Sequence, residues 1–381
     1  MSAPPRRGLS LRFPDPRVRR TIRRNLLRWY DLHGRDLPWR RRPREAYAQW
    51  VAEIMLQQTQ VDTVIPYYQR FMRRFPTVRE LAAASDDHLL QEWQGLGYYR
   101  RAANLHKAAQ LLASNGGDLP DTVEELIELP GIGRYTAGAI ASIAFGRRAA
   151  AVDGNLARVL ARLFAIRADV SLTETMRQIW RLAETILPYR RCGDFNQALM
   201  DLGANVCTPT RPRCHRCPLR HTCAANIQGI TQHIPYRPRR PAVPQIRRVV
   251  AVVESGGRLL AVKRPPGGLW GGLWEFPNIE CPDNHDTGIA AGAILSEFGI
   301  QPAHSPLFVG RVPHRLTHRL IHFDIIVVRA EGGRTGPRPR NVRWITPDSG
   351  DDSPMSVAMR KIWRLVRSAD ALTSAEPDAH G

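Results

Sequence analysis

Four of the chain's six cysteines fall between positions 207 and 223, in the order Cys207-x6-Cys214-x2-Cys217-x5-Cys223. Secreted disulfide scaffolds spread their cysteines through a short chain, whereas thiols crowded into one segment in a reducing compartment read as metal ligands. Four thiolates at these separations suit one zinc ion or an iron–sulfur cluster. Zinc sites more often pair two C-x2-C knuckles, and here there is a single one, flanked by spacings of six and five. Arg211, Arg213, Arg216 and Arg220 interleave with the cysteines. A centre that fixes the loop would therefore hold several guanidinium groups ready for a phosphate backbone. Cys192 and Cys281 lie outside the pattern and are expected to pack as small apolar residues.

The rest of the chain agrees with a polyanionic partner. Its 381 residues carry 55 Lys+Arg against 35 Asp+Glu, a formal charge of +20, and are enough for two or three domains. No apolar run is long enough for a membrane span, and no apolar stretch follows the N-terminal arginines as a secretory signal would require. Residues 1–20 read as a basic flexible arm. Helical periodicity, as in Leu156, Val159, Leu160 and Leu163, marks residues 21–227 as a helical domain that includes the 207–223 cysteine loop. Residues 228–245 hold four prolines between Pro235 and Pro244 and read as an extended linker. From 246 to 365, runs rich in β-branched residues (Arg248–Glu254, Arg258–Lys263, Ile321–Val328) and one helix near 288–298 predict a small α+β domain. Residues 366–381 read as a flexible tail.

Two stretches of the helical domain carry chemistry. Leu129-Pro-Gly-Ile-Gly-Arg-Tyr-Thr-Ala137 is a tight turn between two helices. Gly131 and Gly133 let the backbone approach a phosphate oxygen, and free N–H groups at the next helix start can donate to it. In Tyr47–Val61, Gln49, Glu53 and Gln57 fall four apart on one stripe. Partial burial beside Trp50 and Met55 would raise the Glu53 pKa and make it a proton donor near neutral pH. Asp153, in Val152-Asp-Gly-Asn155, is a carboxylate placed either to cap the following helix or to stabilise a developing cation.

These segments, with Gly95-Leu-Gly-Tyr-Tyr99 and the cysteine spacing, resemble the A/G-mismatch adenine glycosylases, the MutY family of the endonuclease III superfamily. The resemblance covers about residues 20 to 345. It implies a helical helix-hairpin-helix glycosylase with a [4Fe–4S] loop held by Cys207, Cys214, Cys217 and Cys223, followed by a Nudix-like α+β domain. It also implies a substrate: double-stranded DNA in which adenine faces 8-oxoguanine or guanine, flipped and hydrolysed by a monomeric enzyme of bacterial, cytoplasmic, nucleoid-associated type. Glu53 would be the general acid and Asp153 the cation stabiliser, supported by Asn155 and Tyr135. Gln57, Gln58 and Tyr98 would fill or wedge the base stack. Gly131, Gly133 and Thr136, with Arg211, Arg213 and Arg216, would hold the backbone. In superfamily lyases a lysine precedes the Thr-Ala pair and forms a Schiff base. Tyr135 occupies that place here, which implies hydrolysis with the strand left uncut.

Arg264–Pro277 resembles the start of a Nudix domain. Active Nudix hydrolases carry R-E-x-x-E-E-x-G, and the segment Gly292–Gly299 retains only Glu297 of the three acids. Loss of two carboxylates from a hard-cation site predicts a binding module without pyrophosphatase activity. Where the family reads Phe-Ser-His for recognition of 8-oxoguanine, this chain has Leu316-Thr317-His318, so Thr317 and His318 are the expected lesion-reading residues. His314, His318 and His322 fall four apart, but Arg315 and Arg319 among them disfavour a metal site. Two rivals follow from the same residues: a thymine-removing enzyme of the superfamily, and a non-catalytic hairpin protein with a redox-sensing cluster.

Overall fold

The computed structural model describes residues 14–41, 45–238, 242–282, 286–330, 341–346 and 353–368. The arm before residue 14 and the tail after 368 lie outside them. The chain forms two compact units, one of residues 1–82 with 104–239, the other of 83–103 with 240–381.

The first unit is helical. Its helices are α1 (Pro16–His33), α2 (Ala46–Leu56), α3 (Val61–Arg74) and α4 (Val78–Ala82). After α5 (Asp86–Trp93), which belongs to the other unit, come α6 (Arg100–Ser114), whose residues up to 103 also belong to the other unit, α7 (Val123–Ile127), α8 (Arg134–Ile143), α9 (Gly154–Leu163), α10 (Thr173–Ile186), α11 (Cys192–Asn205) and α12 (Ala224–Ile227). Helix α1 begins inside the stretch expected to be a flexible arm. Asp15 accepts a hydrogen bond from the Arg17 amide at 2.7 Å, and Pro16 occupies the first turn, a strong start signal within basic sequence. Leu156, Val159, Leu160 and Leu163 of α9 join Ile22 and Leu26 of α1 and Phe195, Leu199 and Leu202 of α11 in one core. Part of the expected linker also belongs there. Ile234 is buried in that core, its carbonyl accepts from Arg162 Nε at 2.7 Å, and Tyr236 bridges to Asp169.

Helix α8 sits unusually close to its neighbours. A Cβ on Gly138 would lie 1.9 Å from the Ala150 carbonyl oxygen, and one on Gly193 of α11 would lie 2.4 Å from that of Ser142. Glycine at these two places lets α8 touch both the 150–151 segment, just ahead of Asp153, and α11.

The second unit is a mixed sheet of β1 (Gln245–Ser255), β2 (Arg258–Lys263), β3 (Trp274–Glu275), β4 (Asn278–Glu280), β5 (Leu307–Arg315), β6 (Leu320–Arg329) and β7 (Val342–Ile345). The order is β3-β2-β1-β6-β5, with β4 also on β1 and β7 on β2. The pair β1/β6 is parallel and the other pairs are antiparallel. Alternate residues of β1 serve opposite faces, as a strand period of two requires. Val249, Ala251 and Val253 pack with Ile294 of α13 (Thr287–Glu297). Val250 and Val252 pack with Met359 and Ile362 of α14 (Val357–Ser368). Residues 83–103 cluster with this unit rather than with the helical one. Lys263 Nζ pairs with Asp87 at 2.7 Å, and Gln94 Oε1 accepts from the Met355 amide at 3.3 Å. Cys192 and Cys281 are both buried, one in each unit.

Gly138→Ala should destabilise the protein by about 1–3 kcal/mol or more, because the added methyl meets backbone that cannot swing aside. Thermal unfolding checks this, and an unchanged melting temperature would contradict the close packing of α8 on the Asp153 segment.

Candidate active site

Helix α2 is buried on nearly every side, Glu53 among its buried residues rather than on a solvent face, and the side chain is 2 % exposed. Two donors hold its carboxyl group. Gln49, one turn earlier, donates from Nε2 to Oε1 at 2.8 Å. Tyr135, in the first turn of α8, donates its hydroxyl to Oε2 at 3.0 Å. Burial pushes the Glu53 pKa up to about 7. The bonds from Tyr135 and Gln49 and the positive charge of Arg40 pull the other way without overcoming burial, and Asp153 adds to the rise. A buried carboxyl group titrating near neutrality is suited to general-acid work. A hydroxyl both donates and accepts, so Tyr135 can serve either protonation state of Glu53.

Asp153 does cap its helix: Oδ1 accepts from the amides of Asn155 at 3.0 Å and Leu156 at 2.7 Å. That cap fixes the carboxylate, while Oδ2 accepts from Asn155 Nδ2 at 3.0 Å. Asn155 Oδ1 in turn accepts from Arg158 Nη2 at 3.0 Å, and Arg158 Nε donates to the Cys207 carbonyl at 2.9 Å. A continuous line of hydrogen bonds thus runs from the first residue of the cysteine loop to Asp153. Glu53, Tyr135, Asp153 and Asn155 line a single cavity of about 150 Å³.

Sequence reasoning missed the other walls of that cavity, among them Arg35, Trp39, Arg40, Gln197 and Met200. It also missed Asp201, a fully buried carboxylate beneath them. Arg35 Nε reaches Asp201 at 2.7 Å and Arg40 Nη1 reaches it at 2.7 Å. Burial alone would raise the Asp201 pKa, but these two guanidinium groups hold it below the ordinary carboxylate value. Asp201 thereby neutralises part of the charge that would otherwise favour ionised Glu53. No spacing in the sequence joins Arg35 and Arg40 to Asp201; they meet only where the segment between α1 and α2 packs on α11.

The hairpin residues lie between α7 and α8. Gly131 has φ +83° and lies against Asn104. Gly133 starts α8 with no side chain capping its first amides, which leaves N–H donors for an anion. Thr136 is buried, and its hydroxyl is approached by Gln57 Nε2 at 3.3 Å. Thr136 and Gln57 therefore tie α2 to the hairpin. Gln58 is exposed with φ +59°. Arg211, Arg213 and Arg216 are exposed and, among the described residues, pair with no carboxylate.

Cys207, Cys214, Cys217 and Cys223 line one small cavity of about 30 Å³. Arg162, buried beneath the loop, donates to the carbonyls of Thr208 at 2.7 Å and Pro209 at 2.8 Å and to Cys207 Sγ at 3.4 Å. Four thiols lining one space, with a cation at the edge, match the donor chemistry of an iron–sulfur group, and among the described residues no three of them are grouped closely enough to hold a single metal ion.

In the second unit, Tyr98 and Thr317 meet, with their hydroxyl oxygens 2.6 Å apart. Tyr98 has φ +48° and is half exposed. His318 lies in the same turn between β5 and β6, whereas the His314 ring lies 5.7 Å from that of Trp270 at a tilt of 57° and His322 contacts Gln245.

Residues 51–185 match the family model described as HhH-GPD superfamily base excision DNA repair protein, and residues 248–365 match a NUDIX domain. The adenine DNA glycosylase of Homo sapiens is 38 % identical over 415 residues, covering 93 % of this chain and 76 % of that protein. The adenine DNA glycosylase of Buchnera aphidicola subsp. Baizongia pistaciae is 36 % identical over 297 residues, covering 75 % and 84 %. The chain belongs to the adenine DNA glycosylase family. Membership makes it an enzyme of base excision repair with a helix-hairpin-helix domain and a Nudix-like domain. A thermostable thymine-DNA glycosylase has a similar structure (TM-score 0.51, 29 % identity), but over 56 % of this chain and 98 % of that one. The thymine-removing reading is thus matched over little more than half of the chain, the adenine family over nearly all of it. No described helix is long and apolar enough to cross a membrane.

The raised Glu53 pKa has a definite sign for stability. The folded form keeps its proton to about pH 7, while the unfolded carboxyl loses it near 4.5. The contribution of Glu53 is therefore fully present below pH 4.5 and is lost as pH rises through 7. Glu53→Gln, which cannot ionise, should gain about 2 kcal/mol relative to the parent between about pH 5 and pH 8. Denaturant unfolding at the two pH values checks this, and a difference independent of pH would mean that Glu53 is ionised throughout.

Proposed function

We propose that the protein is a monofunctional glycosylase that flips adenine from duplex DNA, where it faces 8-oxoguanine or guanine, and hydrolyses its glycosidic bond. The observation that carries the reading is the shared cavity of Glu53 and Asp153, one carboxyl group with its pKa raised by burial to about 7 and the other fixed by a helix cap. Glu53 delivers its proton to a ring nitrogen of the extruded base, N7 being the one whose protonation best improves the purine as a leaving group. The C1′–N9 bond breaks with its electron pair moving to the purine. Asp153, oriented by Asn155, stabilises the cationic sugar. Water then adds its hydroxyl to C1′, and the remaining proton returns to the emptied carboxylate. Tyr135 orients Glu53 and offers no amine for a Schiff base.

The cavity favours an amino-bearing base. Gln49 and Gln197 both line it, and each carries a buried amide oxygen with no partner among the described residues. An exocyclic amino group would satisfy such an acceptor, and thymine has none. Base extrusion from a duplex requires a filled stack, a role assigned to exposed Gln58 and to Tyr98. The Gly131–Gly133 hairpin and Arg211, Arg213 and Arg216 hold backbone phosphates, while Gln57 and Thr136 brace the hairpin from within. Cys207, Cys214, Cys217 and Cys223 hold a [4Fe–4S] cluster, which when bound cross-links the loop. Arg158 and Asn155 then connect that loop to Asp153. The 246–365 domain is a reader, not a pyrophosphatase, with Thr317 and His318 facing the opposite purine. We place the enzyme, as a monomer, in a cytoplasm with access to DNA.

Incubation of the protein with a duplex carrying adenine opposite 8-oxoguanine should release free adenine and leave an uncut abasic strand. Glu53→Gln should lower the rate by at least about a hundredfold, as loss of a general acid does, with binding retained. Cleavage of the strand, or full turnover by the variant, would contradict the assignment.

A further inference from the structure

A second open pocket of the first unit shares no residue with the excision cavity. It has a volume of about 590 Å³ and is lined by Arg19, Arg20, Arg23, Arg148 and Arg181, with Glu184 its one acid. Arg23 is committed to the end of α10, donating to the carbonyls of Thr185, Ile186 and Leu187. Arg148 donates to the Glu184 and Leu187 carbonyls and lies 4.7 Å from the centre of the Tyr189 ring, which is 81 % exposed. Glu184 is taken by Arg134 at 2.8 Å. The side chains of Arg19, Arg20 and Arg181 have no acidic partner among the described residues. Arg19 Nε is buried with no hydrogen-bond partner among the described residues. Three unneutralised guanidinium groups around one pocket form a site for a polyanion, since an unpaired buried donor is unfavourable until an acceptor arrives.

The position of the pocket selects the anion. Arg134 follows Gly133 directly in the sequence, and its ion pair with Glu184 joins the phosphate-binding hairpin to the pocket wall. We propose that the pocket is a second nucleic-acid site, in which the phosphate backbone of duplex DNA, continuing from the hairpin, is held by Arg19, Arg20 and Arg181. Tyr189 stacks against Arg148 and keeps the rim of the site in place. Burial, followed by the charges of Arg19 and Arg148, lowers the Arg23 pKa. The cluster is thus under mutual repulsion that bound phosphates relieve. The site reads no base, so it grips undamaged DNA and mismatched DNA alike. It rests on the protein being a duplex-binding enzyme, but not on which base is removed.

The test uses the full-length protein and a long undamaged duplex, with binding measured by fluorescence anisotropy across a series of salt concentrations. The slope of log K against log salt changes by about 0.9 for each phosphate that the protein no longer neutralises. Arg19→Ala/Arg20→Ala/Arg181→Ala should therefore flatten the slope by about 2 to 3. A charge-matched control, Arg70→Ala/Arg73→Ala/Arg74→Ala on α3, should leave it near the parent value. Should loss of Arg19 unsettle α1, Arg20→Glu/Arg181→Glu, confined to two exposed positions, reads the same slope. An unchanged slope in the pocket variants, or equal flattening in the control, overturns the proposal. Inorganic phosphate separates the two sources of the anion: if it raises the melting temperature of the parent alone while the duplex slopes coincide, the pocket takes a free anion and the proposal fails. Adenine release, measured separately, distinguishes this failure from failure of the excision reading.

Discussion

Burial of one carboxyl group organises the helical unit. Glu53 receives two hydrogen bonds and faces a guanidinium group, all of which favour its charged form, yet removal from water prevails and leaves it half protonated near neutrality. The balance is close enough to depend on second neighbours. Asp201, held by Arg35 and Arg40, shields Glu53 from positive charge that would otherwise tip it to the carboxylate. An arrangement that keeps a buried acid partly protonated near neutral pH is unfavourable for folding and useful for proton delivery, a conflict typical of functional sites.

The second carboxylate is held in the opposite manner. Asp153 is tied by two backbone amides and by Asn155, bonds that demand acceptors and so suit an ionised group. Its place depends on α8 lying flush against residues 150–151, which Gly138 permits. It depends also on α9, whose Arg158 and Arg162 reach into the cysteine loop. The loop therefore does more than present Arg211, Arg213 and Arg216 at the surface. Its first residue is part of the framework that aims Asp153.

Much of this was legible in the sequence, because the informative features are local. Cysteine spacing, the Pro-Gly-x-Gly turn and the β-branched runs of the second unit each act over a few residues. Cap and cation stabiliser stood as alternatives for Asp153, but they are compatible, since the cap is what orients the side chain. The segments misjudged are those where tertiary packing overrides local composition. Residues 83–103 read as one more helical stretch, yet Asp87 and Gln94 bind the sheet unit. Ile234 and Tyr236 sit in a proline-rich linker but pack on the helical core. The Arg35–Asp201–Arg40 group was invisible, being built from residues more than a hundred and sixty positions apart.

The central claim is that Glu53 keeps a proton near neutral pH. Infrared difference spectroscopy of the parent against Glu53→Gln, across a pH titration, observes that proton directly. The expected result is a protonated carboxyl band absent from the variant and lost with a midpoint near the value of about 7 that burial imposes. A Glu53 already ionised in mildly acidic solution, with no such band to lose, would contradict it.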